Sequence, residues 1–187
     1  MGEAVKELAP LKLRAKNYPV MLALLLATII AGASLPAPID VLRERYSQYR
    51  SAIESFTSNK PFDEVVYQVF SYNAYTLLAL SAPLLGPLFA AYVAFSTGLT
   101  IRAVAYMEAK SVPILLLSFL TTPSTWLYLL AYAIALTESA WLSFALLQRR
   151  PLTLETTLAL LTLAAALLLL SATLEATLAL SRVAPPG

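Results

Sequence analysis

The sequence predicts an all-α fold, a polytopic bundle of transmembrane helices, from two observations. Of its 187 residues, 59% are hydrophobic and only 13% are charged, and the mean hydropathy is +0.71. A soluble domain carries roughly 25% charged residues, so this chain lacks the charge to cover a globular surface in water. Five apolar segments also approach the length of about 20 residues that a helix needs to cross a bilayer. We therefore expect a single integral membrane domain over residues 1–187, surrounded by membrane lipid.

The composition also excludes several kinds of chemistry. The chain contains no cysteine and no histidine. This rules out disulfides, thiol nucleophiles, zinc sites built on Cys or His, and a Ser-His-Asp triad. The net charge of +2 is scattered along the chain, which does not favour nucleic-acid binding. We expect no metal and no cofactor, and the lack of Cys and His also suits a thermophilic organism.

The first predicted span covers residues 18–35. A cleaved signal peptide would look similar, because Ala31-Gly32-Ala33 resembles a cleavage site, but we expect the segment to be retained as an anchor. Basic residues close to a first span usually remain in the cytoplasm. The sequence thus predicts a plasma-membrane protein with a cytoplasmic N-terminus, and with residues 36–62 and the C-terminus outside. The basic residues before this span are Lys6, Lys12, Arg14 and Lys16.

A polar stretch follows, in which we predict an amphipathic helix over residues 40–57. Its apolar residues recur at steps of three and four, which places them along one stripe of a helix. The stripe either packs over the bundle or lies in the membrane interface. Alternatively it is a docking surface for a partner protein. The stripe consists of Leu42, Tyr46, Tyr49, Ile53 and Phe56.

The second and third spans are predicted over residues 62–82 and 87–106, as an antiparallel hairpin. A turn is expected between them because Pro83 and Pro87 interrupt the helix. Small residues recur every fourth position in the third span, and such rows let helix backbones approach closely in lipid. We interpret the row as a helix–helix seam, one version being a homodimer interface; the wall of a conduit is the alternative. The row consists of Gly86, Ala90, Ala94 and Gly98.

Residues 112–148 would form about 55 Å of helix, too long for one crossing and too short for two. Pro123 divides them, so we predict a short re-entrant or interfacial helix over 112–121 and a fourth span over 124–147. The fifth span is predicted over 154–176, where Glu155 and Glu175 bracket an uncharged run. We expect both glutamates to be solvated helix ends.

Three polar residues within the spans are the candidates for function. Glu138 lies mid-way along the fourth span, where an acidic group near the membrane centre costs about 2.5–3.5 kcal/mol. It needs a partner, a proton or water: it is either neutral, or paired with a basic group such as Arg102 or with Asn73. Glu138 is either a proton or cation site, a contact for a partner protein, or a polar link between helices. Asn73 lies in a polar patch of the second span, for which helix–helix hydrogen bonding is the preferred interpretation.

Residues 70–138 resemble the stage II sporulation protein M family of membrane proteins. The resemblance rests on Phe70-Ser71-Tyr72-Asn73, the hairpin glycine Gly86, the pair Thr97-Gly98, and Glu138. The chain departs from the family pattern at Thr97, where Asn is usual, at Arg102, where a small residue is usual, and at Ala133-Ile134-Ala135, which replaces Pro-His-Gly. The resemblance implies a multi-span membrane protein that acts as a scaffold or binds partners, as the sporulation member does when it recruits cell-wall-degrading proteins to a septum.

Three functions are compatible with these features. The first is a membrane scaffold or assembly protein, oligomeric or bound to other membrane proteins. The second is a small transporter, channel or permease subunit with a polar path near Glu138. The third, a membrane enzyme that uses carboxylates, is disfavoured because acid–base work needs two convergent acids and only one lies deep in a predicted span. A dry, paired Glu138 would favour the scaffold, and a hydrated path would favour transport.

Overall fold

The computed structural model of the protein describes residues 14–57, 60–149, 151 and 153–183. Within these ranges the chain forms seven α-helices and no strand, which confirms the predicted all-α bundle. Lys6 and Lys12, two of the basic residues on which the prediction of orientation rests, lie outside the described residues. The helices are α1 (Tyr18–Ser34), α2 (Ile39–Thr57), α3 (Phe62–Ser81), α4 (Gly86–Met107), α5 (Val112–Thr121), α6 (Pro123–Leu147) and α7 (Leu154–Val183).

Three of the described helices are long and apolar enough to cross a membrane, namely α4, α6 and α7, the last over Leu154–Ala179. Two shorter helices, α1 and α5, are also apolar. The chain is therefore a helical membrane protein. That α1 and α3 also cross, giving five spans, stays a prediction.

Helix α6 forms the centre of the bundle and packs against α1, α3, α4 and α7. From Ala131 to Ser139 every one of its residues is buried, so the helix has no exposed face along this stretch. A helix that is apolar all round belongs in the interior of a bundle. Its neighbours contribute Leu25 from α1, Leu80 from α3 and Leu168 from α7 to the same core.

The predicted row of small residues is buried, and much of it lies between α1 and α4. A Cβ atom on Gly98 would lie 2.0 Å from the backbone oxygen of Ile29, and one on Gly32 would lie 2.3 Å from that of Phe95. Only glycine permits so close an approach of two backbones. The seam therefore joins two helices of the same chain. A homodimer through this part of the row would require α1 to leave α4.

Two serine hydroxyls of α6 form hydrogen bonds with the hairpin between α3 and α4. Ser139 donates a hydrogen bond to the carbonyl oxygen of Ala82 at 2.7 Å, and the backbone N–H of Leu84 donates to the hydroxyl of Ser143 at 2.7 Å. Leu84 has a φ of 66°, the left-handed conformation of a tight turn. A Cβ atom on Gly86 would lie 2.2 Å from the Ser139 hydroxyl oxygen. Glycine at this position thus lets the hairpin dock directly on α6.

Helix α2 lies across one end of the bundle, with its apolar stripe largely directed at the other helices. Leu42 is buried against Leu99 and Ala103 of α4, and Phe56 packs against a cluster formed by α3 and α7. Tyr46 donates a hydrogen bond to Glu108 at 3.4 Å. The two ends of the stripe therefore pack against the bundle, whereas Tyr49 and Ile53 in its middle are exposed.

A helix break at Thr122 separates α5 from α6. Thr122 has an extended backbone, with φ −78° and ψ 121°, directly before Pro123. Residues near the end of α4 and the start of α6 line the same cleft, so both helices meet at one end of the bundle. At about 1.5 Å per residue, the ten residues of α5 span roughly 15 Å. Helix α5 therefore returns to the end from which it started and does not cross the bundle.

Candidate functional site

Glu138 forms a buried ion pair with Arg14, a residue that precedes α1. The Arg14 Nη1 atom donates to Glu138 Oε2 at 2.7 Å, and both side chains are 0% exposed. An unpaired charge in such a setting would cost several kcal/mol, so each group depends on the other. This pair links the segment that enters α1 to the central helix α6.

Helix α7 and one aromatic ring complete the surroundings of the pair. Thr157 donates to the same Oε2 atom at 2.7 Å, and Arg14 also hydrogen-bonds Thr153. The Arg14 guanidinium carbon lies 5.0 Å from the ring centre of Trp141, within the range of a cation–π interaction. Three parts of the chain are therefore held together at one point, which we call the Arg14–Glu138 cluster. Its members are Arg14, Glu138, Trp141, Thr153 and Thr157.

The Arg14–Glu138 cluster lies near one end of the bundle. Arg14 precedes α1, Thr153 directly precedes α7, and Thr157 lies in the first turn of α7. The adjacent Ser139 contacts the hairpin between α3 and α4. Glu138 therefore lies level with the ends of several neighbouring helices. Helix α6 continues beyond this level to Leu147.

The predicted partners of Glu138 are engaged elsewhere. The hydroxyl of Tyr132 donates to the side-chain oxygen of Asn73 at 2.7 Å, while the Asn73 amide donates to the backbone of Val69 at 2.9 Å. The Asn73 side chain thus links α3 to α6, as the helix-linking interpretation expects. Pairing of Glu138 with Asn73 is wrong, because Arg14 occupies the position next to the carboxylate.

Arg102 is also absent from the Arg14–Glu138 cluster. Its guanidinium donates to the backbone oxygens of Ala33 and Ser34, at 3.4 and 3.0 Å. The last carbonyls of a helix have no partner within that helix, and a basic side chain can satisfy them. Arg102 therefore caps the C-terminal end of α1, and the prediction that it pairs with Glu138 is wrong.

A second polar region lies at the opposite end of the bundle, around Glu175. The glutamate lines a cleft of about 570 Å³ together with residues of α2, α4, α5 and α6. Helix α7 continues to Val183, so Glu175 lies about two turns before the end of the helix. The expectation that Glu175 is a solvated helix end is therefore wrong. Its side chain is half-buried and interacts with the Ser124 side chain.

The sequence identified Glu138 but missed both Arg14 and Glu175 as members of polar sites. Arg14 is 124 residues away from Glu138 in sequence, and it resembles the other basic residues before the first span. For Glu175 there was a usable signal. The apolar residues continue past it through Ala176, Leu178 and Ala179, which indicates that the helix does not end at the glutamate.

A family model described as stage II sporulation protein M matches residues 21–179 of the chain. The chain belongs to this family. The match includes Glu138, Asn73 and Glu175 but begins after Arg14, so the family pattern covers only one partner of the buried pair. No curated protein and no solved structure matches the chain.

Proposed function

We propose that this protein of the stage II sporulation protein M family is a plasma-membrane scaffold or assembly protein without catalytic activity. The observation that carries the proposal is the enclosed Arg14–Glu138 pair. Glu138, the residue most suggestive of a transport role, is fully buried and bonded to Arg14 and Thr157. A carboxylate held in this way fixes the relative positions of α1, α6 and α7. The Oε1 atom of Glu138 has no hydrogen-bond partner among the described residues, but the side chain is 0% exposed and so is closed to a passing ion.

The geometry lends less support to the alternatives. A transporter, channel or permease subunit with a polar path near Glu138 would need that side chain to be hydrated, whereas it is 0% exposed. An enzyme that uses carboxylates would need two acids within reach of one substrate. Glu138 contacts the beginning of α7, while Glu175 lies far along the same helix, several turns beyond Thr157. The two acids therefore do not converge.

Flux through reconstituted protein tests the scaffold against transport. Purified protein in liposomes that contain a pH-sensitive dye is exposed to a proton gradient, and then to potassium and sodium gradients. The scaffold proposal predicts that dye response and ion release equal those of protein-free liposomes. A flux that rises with protein content and is abolished in the Glu138→Gln variant would overturn the proposal, provided that the variant retains its helical circular dichroism spectrum.

We also propose that the protein self-associates, and the natural absence of cysteine allows a direct test. Single cysteines are placed at exposed positions on three helices, by Tyr72→Cys, Leu88→Cys and Leu158→Cys. An oligomer with one defined interface predicts efficient disulfide cross-linking on one of these helices and little on the others. No cross-link at any position, together with a monomer mass in mild detergent, would contradict self-association.

A further inference from the structure

The cleft that contains Glu175 is built where helices from across the chain meet. Thr97 and Thr100 lie on α4, Ser118 lies on α5, and Tyr128 lies on α6, while Tyr49 of α2 lines it from the helix that lies across this end. Its volume of about 570 Å³ is within the range of roughly 300–1,000 Å³ typical of small-molecule sites. The break between α5 and α6 lies at its edge, and discontinuous helices often line solute sites in membrane proteins.

The described residues that line the cleft include a single one with a formal charge. This residue is Glu175, and it forms no salt bridge within the described part of the chain. Hydroxyl-bearing residues of α2, α4, α5 and α6 line the same cleft, and apolar side chains complete the walls. The hydroxyls of Thr97 and Thr100 donate to backbone carbonyls of their own helix. The cleft therefore combines one carboxyl group, several hydroxyl-bearing residues and an apolar surface.

A purely structural role accounts for only part of this arrangement. Glu175 interacts with the Ser124 side chain near the N-terminal end of α6, where a negative charge is favourable. That interaction explains why a carboxylate is tolerated on an apolar helix. It does not require a cleft of this size, nor hydroxyl-bearing residues from several helices along its walls. A ligand accounts for these features.

The sign of the charge and the aromatic rings indicate the class of ligand. Phe119 and Tyr128 both line the cleft, with ring centres 6.1 Å apart. Ring faces and a carboxylate together form a favourable environment for an organic ammonium group. A bare metal ion would leave most of the cleft unfilled. An anion would be repelled by Glu175.

We propose that the cleft binds an organic ammonium ion, with its cationic nitrogen beside Glu175 and its apolar body against Phe119 and Tyr128. The source of the ammonium group is either a soluble amine or the headgroup of an aminophospholipid, and both share the chemistry that the cleft recognises. The inference rests on the cleft alone and is independent of the scaffold proposal.

Binding of matched small molecules to purified protein tests the soluble source. The probes are phenethylamine, the neutral phenethyl alcohol and the anionic phenylacetate, measured by calorimetric titration in maltoside detergent. Phenethylamine should bind at least about tenfold more tightly than either analogue, because a hydrogen bond to a charged group is stronger than one between neutral groups.

Nanodiscs test the lipid source, with phosphatidylethanolamine competing against phosphatidylglycerol for sites on the protein. Preference for the amine in either arm supports the proposal and identifies the source.

Three variants locate the binding. Glu175→Gln should weaken amine binding at least about tenfold, whereas Glu155→Gln, at an exposed position on the same helix, should leave it unchanged. Ser118→Trp adds bulk to the cleft without altering Glu175, and it should also abolish amine binding. This variant keeps the test decisive if Glu175→Gln does not fold. The absence of a preference for amines in both arms, or amine binding that neither Glu175→Gln nor Ser118→Trp weakens, would overturn the proposal.

Discussion

At the scale of single residues, polar groups inside the bundle are matched to particular partners. Glu138 is held by Arg14, Arg102 by the last carbonyls of α1, and Asn73 by Tyr132. Each of these bonds joins parts of the chain that are distant in sequence. Since water does not compete in the apolar interior, such bonds fix which helices lie next to one another.

The hydrogen bond between Tyr132 and Asn73 yields a prediction with a small and definite effect. Tyr132→Phe removes the donor and keeps the ring, so it should lower the free energy of unfolding by about 0.6–2 kcal/mol. Tyr72→Phe, at a side chain that is 67% exposed, is the matched control and should change little. Unfolding in a titration with sodium dodecyl sulfate measures both. Equal stability of the two variants would show that the bond contributes nothing.

Sequence alone could single out Glu138, because an acid within a long apolar segment is unusual and costly. It could not supply the partner. Arg14 lies before the first span, where a basic residue has a general explanation in membrane orientation. Which of several basic residues reaches Glu138 depends on how α1, α6 and α7 pack, and this packing is a property of the assembled bundle.

At the scale of elements, the predicted helices lie close to the observed ones. Prolines and the spacing of apolar residues predicted the amphipathic helix over 40–57 and the short helix over 112–121, which the structure gives as Ile39–Thr57 and Val112–Thr121. Proline restricts the residue before it and lacks a backbone donor, so helix boundaries near proline are encoded locally. The extension of α7 to Val183 was missed because Glu175 was interpreted as a helix end.

The seam between α1 and α4 yields a prediction about packing. Gly98→Ala adds a single methyl group where a Cβ atom would lie 2.0 Å from the backbone of Ile29, so the two helices must separate. We expect a loss of stability of about 1–3 kcal/mol. Gly98→Leu and Ala94→Leu should cost more.

Ala91→Leu is the control for the seam, because Ala91 is exposed on the same helix. It should leave the thermal midpoint of the purified protein nearly unchanged. The seam would be refuted if Ala91→Leu and Gly98→Ala lowered the midpoint equally.

At the scale of the whole molecule, the two polar regions occupy opposite ends of the bundle. The Arg14–Glu138 cluster lies where α1 and α7 begin, and the Glu175 cleft lies where α4 ends and α6 begins. If the N-terminus is cytoplasmic, the cluster faces the cytoplasm and the cleft faces outward. Orientation therefore determines from which side a ligand would reach the cleft.

Cysteine labelling tests this orientation. Gln48→Cys on α2 places an exposed thiol at one end of the bundle, and Gln148→Cys after α6 places an exposed thiol at the opposite end. An impermeant maleimide should label position 48 in intact cells, and position 148 only after the membrane is disrupted. The reverse pattern would place the N-terminus outside.

Arg14 and Glu138 serve each other as structural partners inside the bundle, and the proposed scaffold depends on this pair. A double-mutant cycle tests this claim, with Arg14→Met, Glu138→Leu and the double variant compared by unfolding in detergent. Each single change leaves a buried charge unpaired and should lower the free energy of unfolding by about 3–5 kcal/mol, whereas the double variant should recover most of the loss. Additive losses in the double variant, or single variants as stable as the unaltered protein, would show that Arg14 and Glu138 are not structural partners.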